Sequence, residues 1–187
     1  GDGNGDTVNG NICVTITGGT FVNNSTEDYA YGGGAPLTLN VSNGHPGTIT
    51  VTGGTFQGRN PADGDDNLGG TFVAAGYQST EVAENTYIVT PVGTTPVISS
   101  EALADALQDV ATAGDTNVSI QIAQDVVDIT GFKTASGNSL AVDFGGNTVT
   151  VAEPVGSSGT VSNGMQLLQG STVTLKNGTY KPASAAV

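Results

Sequence analysis

A six-residue pattern of apolar, Thr, Gly, Gly, Thr and Phe recurs along the chain. It is complete at residues 16–21 and 51–56, is shortened to Gly-Gly-Thr-Phe at 69–72, and returns in a weaker form at 175–180. The order predicts a short strand, a tight corner in which glycine takes a positive φ, and a second strand that starts with a buried aromatic. Repeats this short cannot bury their apolar side alone, so the pattern predicts units that stack into a solenoid.

A longer period relates groups of strands. Residues 37–51 match 140–151, and a third copy runs from 165 to 175, which places Val149 and Val173 at equivalent positions 24 residues apart. This spacing matches one turn of a parallel β-helix, and apolar residues alternate with Thr, Ser and Asn within each strand. The predicted fold class is therefore all-β, a right-handed parallel β-helix in two stacked or tandem segments. The positions expected to be buried are Phe21, Val51, Phe56, Val149 and Val173.

One short α-helix is predicted between the repeat regions, near residues 101–113. Ser99 or Ser100 can cap its start, and Gly114 can end it. We expect this helix to cap the open end of a solenoid, whose terminal coil would otherwise expose strand edges. Its apolar residues follow helical spacing and are Leu103, Ala106, Leu107 and Val110.

The prediction divides the chain at a seam, residues 91–96, that contains two prolines. Residues 1–95 are expected to form the end of a first β-helix segment with irregular closing strands. Residues 96–187 are expected to form the capping helix and the start of a second segment. The abrupt first and last residues are interpreted as those of a fragment from a longer protein.

Charge limits the expected partners. Four basic residues stand against 17 acidic ones, which gives a net charge of −13 and a pI near 4.1. Nucleic-acid phosphates require clustered Lys and Arg, so no nucleic-acid partner is expected. No apolar run approaches the roughly 18 residues of a spanning helix, so no membrane insertion is expected. The composition favours a secreted or cell-surface location.

Cys13 is the single cysteine of the chain. An internal disulfide is therefore ruled out. Its place between Ile12 and Val14 predicts a buried, small apolar residue rather than a reactive thiol.

Arg59 lies near three acidic residues, Asp63, Asp65 and Asp66, and this is the arrangement nearest to a catalytic one. Cleavage of polysaccharides uses a carboxylate pair, or acids with a base over a groove. We interpret this loop instead as a solvated acidic loop with a local ion pair, and we predict no catalytic residues. Asp143 is likewise expected to face solvent or to form a turn.

Two acidic segments are candidate Ca²⁺ loops. Asp2, Asn4 and Asp6 place oxygen ligands at alternate positions, as in the first half of an EF-hand loop, and Asp63 and Asp65 form the second candidate. The first pattern then fails, because Thr7 and Cys13 stand where the loop glycine and the bidentate glutamate belong. An ordinary Asn/Asp/Gly turn is the alternative for both, and no other cofactor is predicted.

Tyr29 and Tyr31 lie in a segment rich in Asn, Ser and Gly. Such a loop can present aromatic faces to a glycan or to a host or surface protein, although the same composition describes an ordinary surface loop. These two tyrosines, with Arg59, are the candidate binding residues.

Two stretches carry a resemblance to a known family. Gly-Gly-Thr-Phe at 69–72, Val-Ala-Ala-Gly-Tyr at 73–77 and Tyr-Ile-Val at 87–89, closed by Pro91, resemble the end of pectin-lyase-like β-helix regions in large surface proteins of gut Firmicutes. The stretch 98–151 is similar to the beginning of another such β-helix. The resemblance implies the architecture and not a reaction.

These observations favour a non-catalytic, extracellular adhesin-type β-helix that spaces or presents binding loops, with a glycan or a host or surface protein as partner. One alternative is a carbohydrate-active β-helix, such as a polysaccharide lyase, a glycosidase or a phage tailspike, with its site outside this chain. Another is a structural component of a virion or filament, on the virion surface, that self-associates along the solenoid.

Overall fold

The computed structural model describes residues 12–23, 47–64, 70–112, 114, 116–156 and 159–182. The chain forms two compact units, 1–92 and 93–187. Each unit has its own cluster of buried apolar side chains. The described part of the chain is mostly β-strand with parallel sheets, as predicted at the level of an all-β fold, and it contains one α-helix.

The described residues of the first unit form a four-stranded mixed sheet. Strand β1 (Ile12–Val22) pairs in parallel with β2 (Gly47–Gln57), and β2 pairs antiparallel with β4 (Thr86–Pro91), which also pairs antiparallel with β3 (Tyr77–Ala83). The order across the sheet is β1-β2-β4-β3. The antiparallel hairpin of β3 and β4 therefore covers the edge of β2 that β1 leaves open.

The Gly-Gly pairs do not form the corner that the repeat predicted. Gly19 and Gly54 take the expected positive φ, 100° and 113°, but β1 and β2 continue through them with shifts in their pairing register. At Gly53, an added Cβ would lie 2.4 Å from the carbonyl oxygen of Thr17. The glycines therefore allow two neighbouring strands to bulge at the same level and to approach closely.

Burial in this unit follows position in the sheet. Val51 and Phe56, on the central strand β2, are completely buried, as predicted. Phe21 stacks on Phe56 with ring centroids 5.0 Å apart, but it is half-buried because β1 lies at the sheet edge. Cys13, on the same edge strand, is exposed, so the prediction of a buried thiol is wrong.

In the second unit, the described strands form three parallel sheets, and each sheet takes its strands in chain order. From β6 onward, the chain thus returns to the same sheet after a circuit through the other two, whereas α1 alone lies between β5 and β6. The sheet orders are β5-β6-β9-β12, β7-β10-β13 and β8-β11. The strands are β5 (Thr94–Val97), β6 (Asn117–Ile122), β7 (Val126–Thr130), β8 (Phe132–Thr134), β9 (Ser139–Asp143), β10 (Thr148–Glu153), β11 (Met165–Leu167), β12 (Thr172–Lys176) and β13 (Thr179–Lys181).

The predicted 24-residue register between Val149 and Val173 is wrong. Val149 pairs with Val126 and Tyr180, whereas Val173 pairs with Leu140, 33 residues before it. The preceding circuit, from Ile120 to Val142, takes 22 residues. The difference lies in the segment between β10 and β11, where Val155 and Ser162 form an antiparallel bridge. Val149 is buried as predicted, but Val173, on the last strand of its sheet, is half-buried.

The predicted helix is present as α1 (Ser100–Ala111). The Ser99 hydroxyl accepts the N–H of Ala102 at 3.1 Å and so caps its start. Leu103, Leu107 and Val110 are buried, and α1 contacts β5, β6, β7 and β8. The helix therefore packs against the first strand of every sheet in this unit.

Asn138 binds the end of α1. Its amide nitrogen donates to the carbonyl oxygens of Val110 at 3.1 Å and Thr112 at 2.7 Å, and its amide oxygen accepts the N–H of Thr116 at 3.0 Å. The last carbonyls of a helix have no partner within the helix, so this completely buried side chain supplies one. The helix ends at Ala111, before the predicted Gly114 terminus, with Thr112 in the cap position.

We predict that Asn138→Leu destabilises the protein by about 3 kcal/mol, because it removes three hydrogen bonds of a completely buried side chain and takes from the Thr112 carbonyl the amide that binds it. Chemical denaturation measures the change. The control Ser136→Ala alters an exposed residue of the neighbouring turn and is expected to cost less than about 0.5 kcal/mol. Equal stability of Asn138→Leu and the wild type would contradict this role.

Candidate functional site

Arg59 lies in the bend that follows β2. Its guanidinium donates to the carbonyl oxygen of Gly64 at 3.1 Å, across a single 3-10 turn at Pro61–Asp63. Asn60 caps that turn, since its side-chain oxygen accepts the N–H of Ala62 at 3.0 Å and the hydroxyl of Ser79 at 2.7 Å. Arg59 and Asn60 therefore hold the turn in place, and this is a structural use of the arginine.

The candidate Ca²⁺ ligands fall mostly outside the described residues. Asp63 is exposed at the end of the 3-10 turn, whereas Asp65 and the first candidate set, Asp2, Asn4 and Asp6, lie in segments that the structure does not describe. Among the residues it does describe, no three His, Cys, Asp or Glu side chains lie close enough to hold a metal ion. A Ca²⁺ site stays a prediction.

Tyr29 and Tyr31, the candidate contact residues, also lie outside the described residues. The flanking strands are described as far as Asn23 and from Gly47 onward. β1 and β2 are parallel neighbours, so residues 24–46 connect the end of one strand to the start of the next. Their role in binding stays a prediction.

Asp143 lies at the end of β9 and forms a polar corner with the next circuit of the chain. Its carboxylate accepts the N–H of Gly145 at 3.0 Å and the Asn177 amide at 3.1 Å, and it forms an ion pair with Lys176 at 3.1 Å. Partial burial favours the neutral acid, but these donors favour the carboxylate, and together they lower the pKa of Asp143 below its ordinary value. The carboxylate thus forms a turn, one of the two roles expected for it.

Tyr180 belongs to the interior of the second unit. Its hydroxyl donates to the carbonyl oxygen of Gly164 at 2.8 Å, and its ring meets Phe132 edge to face with centroids 6.2 Å apart. Burial raises its pKa to about 12. The tyrosine therefore stays neutral and packs against the aromatic residue of β8.

A groove of about 660 Å³ runs between α1 and the sheet of β8 and β11. Asp105 and Gln108 line the helix side, and Lys133 and Gln166 line the opposite side. The apolar part of the lining includes Leu107 and Phe132. The groove therefore combines charges of both signs with amides and an apolar surface. We call it the helix–strand groove.

Sequence reasoning did not identify this groove. The helical periodicity of α1 indicated its buried side correctly, but a groove also depends on what lies opposite. Gln166 lies beside Lys133 in the strand pairing only because the longer circuit between β10 and β11 shifts the register. No local pattern in the sequence records that shift.

No family model, curated protein or solved structure matches the chain. Among the described residues, the structure contains no helix long and apolar enough to cross a membrane.

We predict that Asp143→Asn lowers the melting temperature at neutral pH and that its difference from the wild type shrinks progressively as the pH falls below about 3.9. The pKa of Asp143 is lower in the folded chain, so its carboxylate stabilises the fold above the unfolded pKa of about 3.9, and this contribution is lost as the pH falls. Melting curves across this range measure the effect. Asp109→Asn, on the exposed side of α1, is the charge control. A difference between Asp143→Asn and the wild type that does not change with pH would contradict the assignment.

Proposed function

We propose that this chain is a non-catalytic segment of an extracellular surface protein, and that its second unit is the capped beginning of a right-handed parallel β-solenoid. The observation that carries the proposal is the arrangement of the second unit. Three parallel sheets take their strands in chain order, and α1 packs on the first strand of each. A solenoid requires this succession of strands and a cover over its first coil.

The resemblance to pectin-lyase-like β-helix regions supports the same architecture. The stretch 98–151, similar to the beginning of such a β-helix, includes α1 and the first circuit of strands after it. The stretch 69–91, similar to the end of one, includes the antiparallel hairpin of β3 and β4. In the proposal, the first unit is the end of one solenoid segment and the second unit is the beginning of another.

We propose no catalytic role because the charged residues that were candidates for catalysis bind structural partners instead. Arg59 donates to Gly64 in the turn after β2, and Asp143 accepts bonds from three residues at the corner after β9. Side chains that hold turns in this way support a scaffold. Contact with a glycan or a host or surface protein would then come from exposed loops.

One observation favours the structural-component alternative. Leu167, Leu168 and Leu175, on or beside the last strands of two sheets, are 52%, 41% and 38% exposed. Among the described residues, no strand pairs with the outer edges of these last strands, and apolar side chains at such edges favour pairing with another β-strand. Association that increases with protein concentration in sedimentation experiments would support self-association along the solenoid over presentation of loops.

We predict that replacing both Tyr29 and Tyr31 by Ala weakens attachment to the glycan or protein ligands of the wild-type chain by at least tenfold and changes its melting temperature little. Two aromatic contacts on a polar loop supply rigid contact area that Ala lacks. Binding to glycan and host-protein arrays measures the effect. The control pair, Tyr77→Phe and Tyr87→Phe, keeps the rings that pack on the core of the first unit.

A second experiment tests whether the chain cleaves polysaccharides. The wild-type chain is incubated with pectin, host glycans and capsular polysaccharide, and the products are separated by chromatography. We expect no cleavage. Turnover that Arg59→Ala abolishes would overturn the non-catalytic proposal in favour of a carbohydrate-active enzyme.

A further inference from the structure

Among the described residues, no strand pairs with the side of β8 opposite β11, and this edge borders the helix–strand groove. The N–H of Phe132 donates to Gly164 at 3.1 Å, and the carbonyl oxygen of Thr134 accepts the N–H of Leu168 at 3.3 Å. Both bonds lie on the β11 side of the strand. Because successive residues of a strand direct their peptide groups to opposite sides, the N–H and C=O of Lys133 point away from β11 and toward α1.

The next peptide group on that edge is already bonded to the helix. The N–H of Ala135 donates to the carbonyl oxygen of Val110 at 2.9 Å, so α1 closes on the chain directly after β8. At Lys133 the groove separates the helix from the strand. Asp105 and Gln108 line it on the helix side, and Lys133 lines it on the strand side. One donor and one acceptor of the main chain therefore lie in a groove that is closed at one end.

We propose that the helix–strand groove binds a short extended peptide, which pairs with the main chain of Lys133 and places a basic side chain beside Asp105. A peptide carries a carbonyl oxygen and an N–H at the spacing that a strand edge requires, and this main-chain match favours a peptide over a sugar. The pairing would add a strand to the sheet of β8 and β11 on its free side.

Charge complementarity indicates which peptide binds. Asp105 is exposed on the helix side of the groove, opposite the exposed Lys133 of the strand side. Glu101 and Asp109, also exposed, lie one turn before and after Asp105. The whole chain carries a net charge of −13, which attracts cationic partners and repels acidic ones. An apolar surface for a neighbouring aliphatic side chain is supplied by three exposed or half-buried residues, Ala104, Ala111 and Val155.

The test uses the complete chain and a blocked peptide, acetyl-Thr-Val-Lys-Val-Thr-amide, as the probe. Amide chemical shifts of the ¹⁵N-labelled protein are followed during titration. We expect a dissociation constant in the millimolar range, because few main-chain bonds form, with the largest shift changes at Asp105, Gln108, Lys133 and Gln166. The peptide with Glu in place of Lys, and the peptide N-methylated at the Lys residue, are each expected to bind at least tenfold more weakly.

Two protein variants distinguish the groove from a general charge effect. Ala104→Phe fills the groove from the exposed side of α1 and is expected to abolish the shift changes while the melting temperature stays the same. Asp105→Asn is expected to weaken binding about threefold, as for an exposed ion pair, whereas Asp109→Asn, whose side chain does not line the groove, is expected to weaken it less.

Three results would overturn the proposal: no shift changes at millimolar peptide, equal effects of Asp105→Asn and Asp109→Asn, or tight retention of the N-methylated peptide. The neutral oligosaccharide chitohexaose is titrated in parallel. Shift changes in the groove from chitohexaose, without changes from the peptide, would identify a sugar site instead.

Discussion

The second unit depends on contact between neighbouring parallel strands of the same sheet. Within its own sheet, an inward side chain is covered by the equivalent side chains of the circuits before and after it. The series Ile120, Val142 and Leu175, paired in register, shows the effect, with exposed fractions of 1%, 5% and 38%. Burial is therefore set by the stack and fails where the stack ends. The helix α1 meets this need at the beginning of the unit.

Polar groups at the corners between strands also depend on neighbouring parts of the chain for their hydrogen-bond partners. Between strands the sheet pairing stops, and side chains supply the missing hydrogen bonds. Asn138 binds the end of α1 in this way, and the Asn147 amide donates to the carbonyl oxygens of Ile122 and Phe144 at 3.0 Å and 2.9 Å. The ion pair of Lys176 with Asp143 joins two successive circuits. The strands and the corner side chains thus stabilise the same fold, and the charged residues at these corners serve its structure.

The sequence predicted the features that depend on local pattern. The helix, its Ser99 cap and the burial of Val51, Phe56 and Val149 follow from periodicity and side-chain size. The features that depend on distant neighbours were missed. Phe21 and Cys13 looked like core residues, but they lie on an edge strand, and the pairing of Val173 with Leu140 depends on the length of a distant segment. The helix–strand groove depends on the same register, so the local sequence pattern could not predict it.

The most direct test of this account is the register of the second unit, measured by disulfide formation in a Cys13→Ser background. Directly opposite residues of neighbouring strands lie about 4.8 Å apart, within the span of roughly 4.4–6.8 Å that a disulfide bridges between Cα atoms. Ala141 and Thr174 are opposite one another and exposed. The account predicts that the double variant Ala141→Cys, Thr174→Cys forms an intramolecular disulfide on mild oxidation, seen by mass spectrometry, and that Thr150→Cys, Thr174→Cys does not. Efficient bridging of the second pair and not the first would contradict it.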